Sequence, residues 1–160
     1  MFRDVSVSSG RRKFIQNIRI GPHTFEADEP SEQGGNDAGP DPHELLLAAL
    51  GACASITVCM YAERKQWSVE GVHVHLSYAR VPVGNQSGAT PALVDGIQID
   101  ISFSGDLSDE QRRRLLEIAE RCPVHRLLTS QVEIRSNLRI RSESRLGADV
   151  SIVEPPNAGQ

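Results

Sequence analysis

Three cysteines, Cys53, Cys59 and Cys122, have the strongest claim to chemistry in this 160-residue chain. A thiol acts through its thiolate, as nucleophile, metal ligand or site of reversible oxidation. The cysteine spacings do not assemble a zinc site, and the five histidines at 23, 43, 73, 75 and 125 supply no third ligand at zinc-like spacing. His73 and His75 share the polar face of one predicted strand, which reads more simply as a solvated face than as a metal pair. There is no Gly-rich dinucleotide fingerprint, phosphate-binding loop, HExxH or nucleophile-elbow serine. The plain alternative is packing: free cysteine is among the most buried residue types, so all three could be small core residues. Two features favour chemistry. Cys53 is surrounded by Ala48, Ala49, Gly51, Ala52 and Ala54, small neighbours that leave room for another element or a ligand. Cys122 precedes Pro123 and can cap the helix that the proline opens, where the helix dipole favours a thiolate. Cys59 falls about 120° around a helix from Cys53 and is assigned to packing. His125, three residues after Cys122, could hold its thiolate or cover a helix end.

The elements that must position these residues follow from periodicity. Residues 3–28 alternate apolar and polar side chains around two turns, Gly10–Lys13 and Gly21-Pro22, and predict a three-stranded meander. Residues 29–40, rich in Gly, Pro and acids, are a loop. Asp41-Pro42-His43-Glu44 spells a helix start, with Asp41 as N-cap, Pro42 in the first turn and Glu44 as the capping-box acid. The helix over 42–66 is apolar on most faces and therefore predicts burial on all sides. A hairpin is expected over 70–104 from the alternation of Val72, Val74 and Leu76 and of Ile97, Ile99, Ile101 and Phe103. Ser108 to Gln111 is a second capping box, opening a helix over 109–121. Cys122-Pro123 breaks it before a short helix at 123–128. A last strand is predicted at 132–140, then a loose tail over 141–160. Antiparallel runs separated by helices, rather than repeated βαβ units, make this one α+β domain.

Composition excludes several functions. The formal net charge is −4 and aromatics are only 4 % of residues, which argues against a nucleic-acid binder with a basic surface or a base-stacking platform. The N-terminus lacks a signal-peptide core, and the apolar run Leu45–Met60 is short for a membrane span and interrupted by Ser55 and Thr57. A cytoplasmic protein with no membrane partner is expected. An odd number of cysteines fits thiol chemistry or packing better than a disulfide framework.

The run Asp41-Pro42-His43-Glu44-Leu45-Leu46-Leu47-Ala48-Ala49-Leu50-Gly51-Ala52-Cys53, with Cys122-Pro123-Val124 far downstream, resembles the OsmC/Ohr superfamily of osmotically inducible and organic hydroperoxide resistance proteins. The order of elements matches over about residues 10–140 as well. The resemblance implies an intertwined homodimer with antiparallel sheets wrapped around long central helices. It implies thiol-dependent reduction of organic hydroperoxides, with Cys53 as the peroxidatic cysteine and Cys122 as the resolving one. A sulfenic acid on Cys53 would condense with Cys122 to a disulfide, and a lipoyl-type dithiol would reset the pair; no metal, haem or flavin is implied. Cys53 stands about three turns inside its helix, beyond the reach of the dipole, and an apolar cavity disfavours a charged sulfur. A thiolate there needs a cation from elsewhere. Ohr-type relatives use an arginine of the first hairpin, which here is Arg11 or Arg12, and an acid ten residues before the cysteine. That position is His43 here; the nearest acid, Glu44, is the candidate for that catalytic role, although it falls nearly opposite Cys53 on a straight helix and could be only the capping-box acid. Two other readings stand beside the enzyme: a binder holding a small apolar ligand in the dimer cavity, and a structural dimer whose cysteines pack.

Overall fold

In the computed structural model, residues 3–83 and 92–138 are described; the connection 84–91 and the expected tail 141–160 lie outside them. The meander consists of β1 (Val5–Ser9), β2 (Gln16–Ile20) and β3 (His23–Ala27), antiparallel in the order β1-β2-β3. Its register places Val5 opposite Ile20, Val7 opposite Ile18, and Ile18 opposite Phe25. One face is therefore apolar and the other carries Ser6, Ser8, Asn17, Arg19 and Glu26. The first turn is wider than the alternation suggests. Phe14 and Ile15 precede β2 instead of belonging to it, and the Ile15 N–H closes a turn on the Arg12 carbonyl at 3.0 Å.

After β3 the buried Asp28 organises the loop. Its carboxylate accepts the backbone N–H groups of Glu29 and Asn36 at 2.9 Å and of Ala38 at 3.3 Å. Burial alone would raise its pKa, but these hydrogen bonds win and hold it below the ordinary carboxylate value. The loop delivers the chain to α1 (Pro42–Lys65), whose start is the expected capping box: Glu44 N–H donates to Asp41 Oδ1 at 2.8 Å, and Asp41 N–H to Glu44 Oε2 at 2.9 Å. The helix ends one residue earlier than expected, with Gln66 in the left-handed conformation.

The hairpin pairs β4 (Gly71–Val83) with β5 (Ala92–Ser104) in continuous antiparallel register and lies across α1. Gly51 lets it approach closely: a Cβ there would stand 2.7 Å from Leu76 Cδ1. α2 (Asp109–Ala119) opens with the Ser108–Gln111 capping box and stops two residues short of expectation, at the turn that carries Cys122; α3 is Pro123–Leu128. The core gathers Leu50, Ala54, Val58 and Ala62 of α1 with Leu107, Leu115, Ala119 and Cys122. Each fully buried Leu contributes roughly 2 kcal/mol by leaving water.

Two expectations are not met within one chain. The α1 helix buries one stripe rather than all faces; Ile56 and Met60 remain 59 % and 58 % exposed. Residues 131–138 also form no strand, and residues 139–140 lie outside the described set. The alternation of Val132, Ile134 and Leu138 is real, but a strand needs a ladder partner, and Ile134 is 85 % exposed. The meander likewise makes no extensive contact with the other elements. Its apolar side leaves Val5 and Val7 exposed.

Candidate active site

The α1 stripe Leu50, Cys53, Ala54 and Thr57 follows helical spacing, so Cys53 shares a side with the buried Leu50 and Ala54. Cys53 is half-buried, Cys59 exposed and Cys122 fully buried, and all three are free thiols. Thr57 donates its hydroxyl to the Cys53 carbonyl at 2.7 Å, leaving the Cys53 sulfur to other partners. Packing of α3 against α1 brings Cys122 to that sulfur, and the Cys122 side chain hydrogen-bonds to Cys53. Two cysteines far apart in sequence thus meet beneath the helices.

Cys122 is the N-cap of α3, as its place before Pro123 suggests, and its sulfur accepts the His125 N–H at 3.4 Å. The expected gain for the thiolate does not prevail. Burial pushes the Cys122 thiol up; the His125 and Val124 N–H groups pull it down, but the hydrogen bond to Cys53 and the charge on that sulfur raise it further. The balance favours the protonated form of Cys122 beside Cys53. The His125 ring does not hold the thiolate either. Its Nδ1 lies on the carbonyl of Glu120, at the end of α2.

The other candidates stand apart from the thiols. The Glu44 carboxylate is engaged in the α1 cap, and nine residues of helix place it about 13 Å along the axis from Cys53. His43, at the place where the resemblance expects an acid, is exposed, stacks edge-on against Tyr78 at 5.6 Å and stands 3.9 Å from Asp41. Arg11 is exposed in the first turn, and Arg12 pairs with Glu26 of β3. Since that meander does not pack extensively on α1, neither arginine is carried to the cysteines of its own chain. Periodicity finds the helices but cannot say which chain's hairpin faces which helix.

Two adjoining clefts open between α1, the hairpin and His125; their walls include Leu50 and His125, each three residues from a cysteine, but neither Cys53 nor Cys122 itself. One, of about 180 Å³, is walled by Leu50, Ala54, Ile97, Ile99, Ile101, Leu116 and His125. The other, of about 360 Å³, shares Leu50, Ile97, Ile99 and His125 and adds Tyr78, Asp95 and Leu128. No local motif marks the hairpin's inner face and His125 as cleft walls; the alternation of Ile97, Ile99 and Ile101 is the one sequence signal for that face. A separate concavity of about 540 Å³ lies on the polar side of the meander, away from both cysteines.

The OsmC-like protein family model matches residues 34–137, which include both Cys53 and Cys122. No curated protein matches the chain in sequence. Solved structures do match in fold. An OsmC-like protein of Mycoplasma pneumoniae is 18 % identical with a TM-score of 0.63, covering 80 % of this chain and 87 % of that one. The organic hydroperoxide resistance protein OsmC of Legionella pneumophila is 18 % identical with a TM-score of 0.60, covering 81 % and 90 %. The organic hydroperoxide resistance protein OhrB of Bacillus subtilis is 19 % identical with a TM-score of 0.56, covering 83 % and 94 %. These likenesses show the α+β architecture of antiparallel sheets with a long central helix. With the matched residues spanning most of its length, from the loop before the central helix to the segment after the Cys122 turn, the chain belongs to the OsmC-like family.

Proposed function

We propose that the protein is a thiol-dependent peroxidase that reduces organic hydroperoxides through Cys53 and Cys122. The observation that carries this reading is the hydrogen-bonded meeting of the two cysteine side chains, with Cys122 fully buried and its thiol pushed up by that burial. In the first step the Cys53 thiolate attacks the terminal oxygen of the hydroperoxide. An S–O bond forms, the O–O bond breaks, sulfur loses two electrons, and the alkoxide leaves and takes up a proton to become the alcohol. In the second step the Cys122 sulfur attacks the Cys53 sulfenic acid. An S–S bond forms, the S–O bond breaks, and the departing hydroxide with the Cys122 proton becomes water. A dithiol reductant of lipoyl type then exchanges with the disulfide, returning two thiols and leaving oxidised. The apolar clefts suit an organic rather than an inorganic substrate, and the two similar proteins named for organic hydroperoxide resistance support the same class.

The assembly we propose is a homodimer in the cytoplasm, where a partner covers the open side of α1 and the apolar side of the meander. In that dimer the partner's first hairpin supplies the cation beside Cys53, with Arg11 in that role. Glu44 then serves the helix cap rather than the thiol.

The test is a thiol count on reduced protein treated with cumene hydroperoxide. Loss of Cys53 and Cys122 thiols together, abolished by Cys53→Ser and by Cys122→Ser, is expected. An unchanged count would favour the second reading, a binder of small apolar molecules, which the engagement of Glu44 in the helix cap and the lack of extensive packing between the meander and α1 within one chain support.

A further inference from the structure

The junction between α2 and α3 holds Cys122 in place, yet its backbone is poorly tied. Pro123 has no N–H to give. The main-chain bonds near it stay on their own sides: Cys122 N–H to Ala119 at 3.1 Å closes α2, and Arg126 N–H to Cys122 at 3.0 Å opens α3. Among the described residues, the hydrogen bond that reaches from α3 back to a residue preceding Cys122 is made by the His125 ring, whose Nδ1 donates to the Glu120 carbonyl. A carbonyl can only accept, so Nδ1 carries the proton. The same residue's main-chain N–H sits on the Cys122 sulfur at 3.4 Å. One residue thus straps the two helices together and aims a donor at the buried thiol. Its ring also forms a shared wall of both clefts, with Leu50 one turn before Cys53 on the other side.

We propose that the His125 side chain is a latch: by bonding the end of α2 it keeps the Cys122 turn closed, with the Cys122 sulfur sheltered and aligned on Cys53. This inference rests on the peroxidase reading for its consequence but not for its existence. His125 is a positioning residue; it acts on the reacting sulfurs through Cys122. When Cys53 carries a sulfenic acid, two reactions compete. Cys122 can close the disulfide with loss of water, or a second hydroperoxide can transfer another oxygen to Cys53, leaving a sulfinic acid and an alcohol. A latched turn favours the first.

The experiment compares the native chain with His125→Leu, which removes the donor, His125→Gln, whose amide lies one bond too far out, and His125→Asn, whose amide nitrogen occupies the place of Nδ1. All are first checked for native circular dichroism. In one arm, reduced protein is labelled with N-ethylmaleimide and each cysteine is followed by peptide mass spectrometry. Cys122 is expected to label about tenfold faster in His125→Leu and His125→Gln, the factor set by loss of one hydrogen bond, and at the native rate in His125→Asn. In the other arm, excess cumene hydroperoxide is added and the Cys53–Cys122 disulfide and the Cys53 sulfinic acid are quantified. The Leu and Gln variants are expected to shift the ratio toward sulfinic acid about tenfold, with the Asn variant restored. Native labelling in His125→Leu and His125→Gln, or failure of folded His125→Asn to restore protection, overturns the latch. If the native chain loses no thiols to hydroperoxide, the peroxidase reading falls, and the labelling arm still decides the latch.

Discussion

The division of labour between the two sulfurs is an effect of environment on one residue type. Cys53 and Cys122 are the same side chain, but Cys122 is shut into the core at a helix start and holds its proton above the ordinary thiol range. Burial outweighs the two backbone N–H groups because a charge without full solvation costs more than those hydrogen bonds return. The sign of the consequence is fixed by linkage. Below the thiol range both folded and unfolded chains carry this proton. As pH climbs past about 8.5 the unfolded chain releases it while the folded chain retains it, so stability declines with rising pH. A urea midpoint measured at about pH 7.5 and again at about pH 9.5 is expected to fall, and Cys122→Ser is expected to lessen that fall. A decline of the same size in the variant would place its origin in other groups.

At the scale of elements, the site depends on how closely hairpin, α1 and α2 approach one another. Gly51 gives β4 its seat on α1, and Gly105 turns the chain from β5 into α2. Gly105 has φ of +117°, and a Cβ there would lie 2.0 Å from the Ser68 carbonyl oxygen, which is backbone and cannot swing aside. Arg112 of α2 reinforces the same corner, donating to the carbonyls of Phe103 and, at 3.2 Å, of Gly105. Gly105→Ala is therefore expected to cost about 2–4 kcal/mol, read as a lowered denaturation midpoint. Because α2 ends at the Cys122 turn, the same variant is expected to label Cys122 faster with a maleimide. A midpoint within experimental scatter of the native one would show that the corner can relax.

For the whole molecule, the exposed apolar surfaces are the informative feature. Val5 and Val7 on the meander, Ile56 and Met60 on α1, and Val132, Ile134 and Leu138 after α3 are too many and too ordered in their spacing for an isolated chain. A second copy would cover them, and the arrangement makes a sharp prediction about Arg11. If the cation reaches Cys53 from the partner, Arg11→Ala and Cys53→Ser homodimers are each impaired. Heterodimers formed by mixing them contain one site that joins an intact Cys53 to an intact Arg11, and peroxidase activity is expected to return to about half of native per such heterodimer. No recovery after verified subunit exchange would mean that Arg11 acts within its own chain or not at all.

The local features were legible in the sequence because local rules govern them. The capping boxes at Asp41 and Ser108, the break at Cys122-Pro123, the hairpin alternation and the short α3 all depend on neighbours within a few residues. Spacing also set Glu44 and Cys53 on opposite sides of α1. The motif pair centred on Cys53 and Cys122 pointed to the family, which the match over residues 34–137 bears out. Periodicity failed where a partner surface is required: residues 132–138 alternate as a strand does yet form none in the single chain, and α1 buries one stripe only. The meeting of the Cys122 side chain with Cys53 is implied by the resemblance but by no spacing, and the packing of the helices brings it about; the rise of the Cys122 pKa against its helix start and the reach of His125 to Glu120 were settled by the folded chain alone. Each depends on how helices distant in sequence pack and how much water that packing removes, and a linear pattern encodes neither.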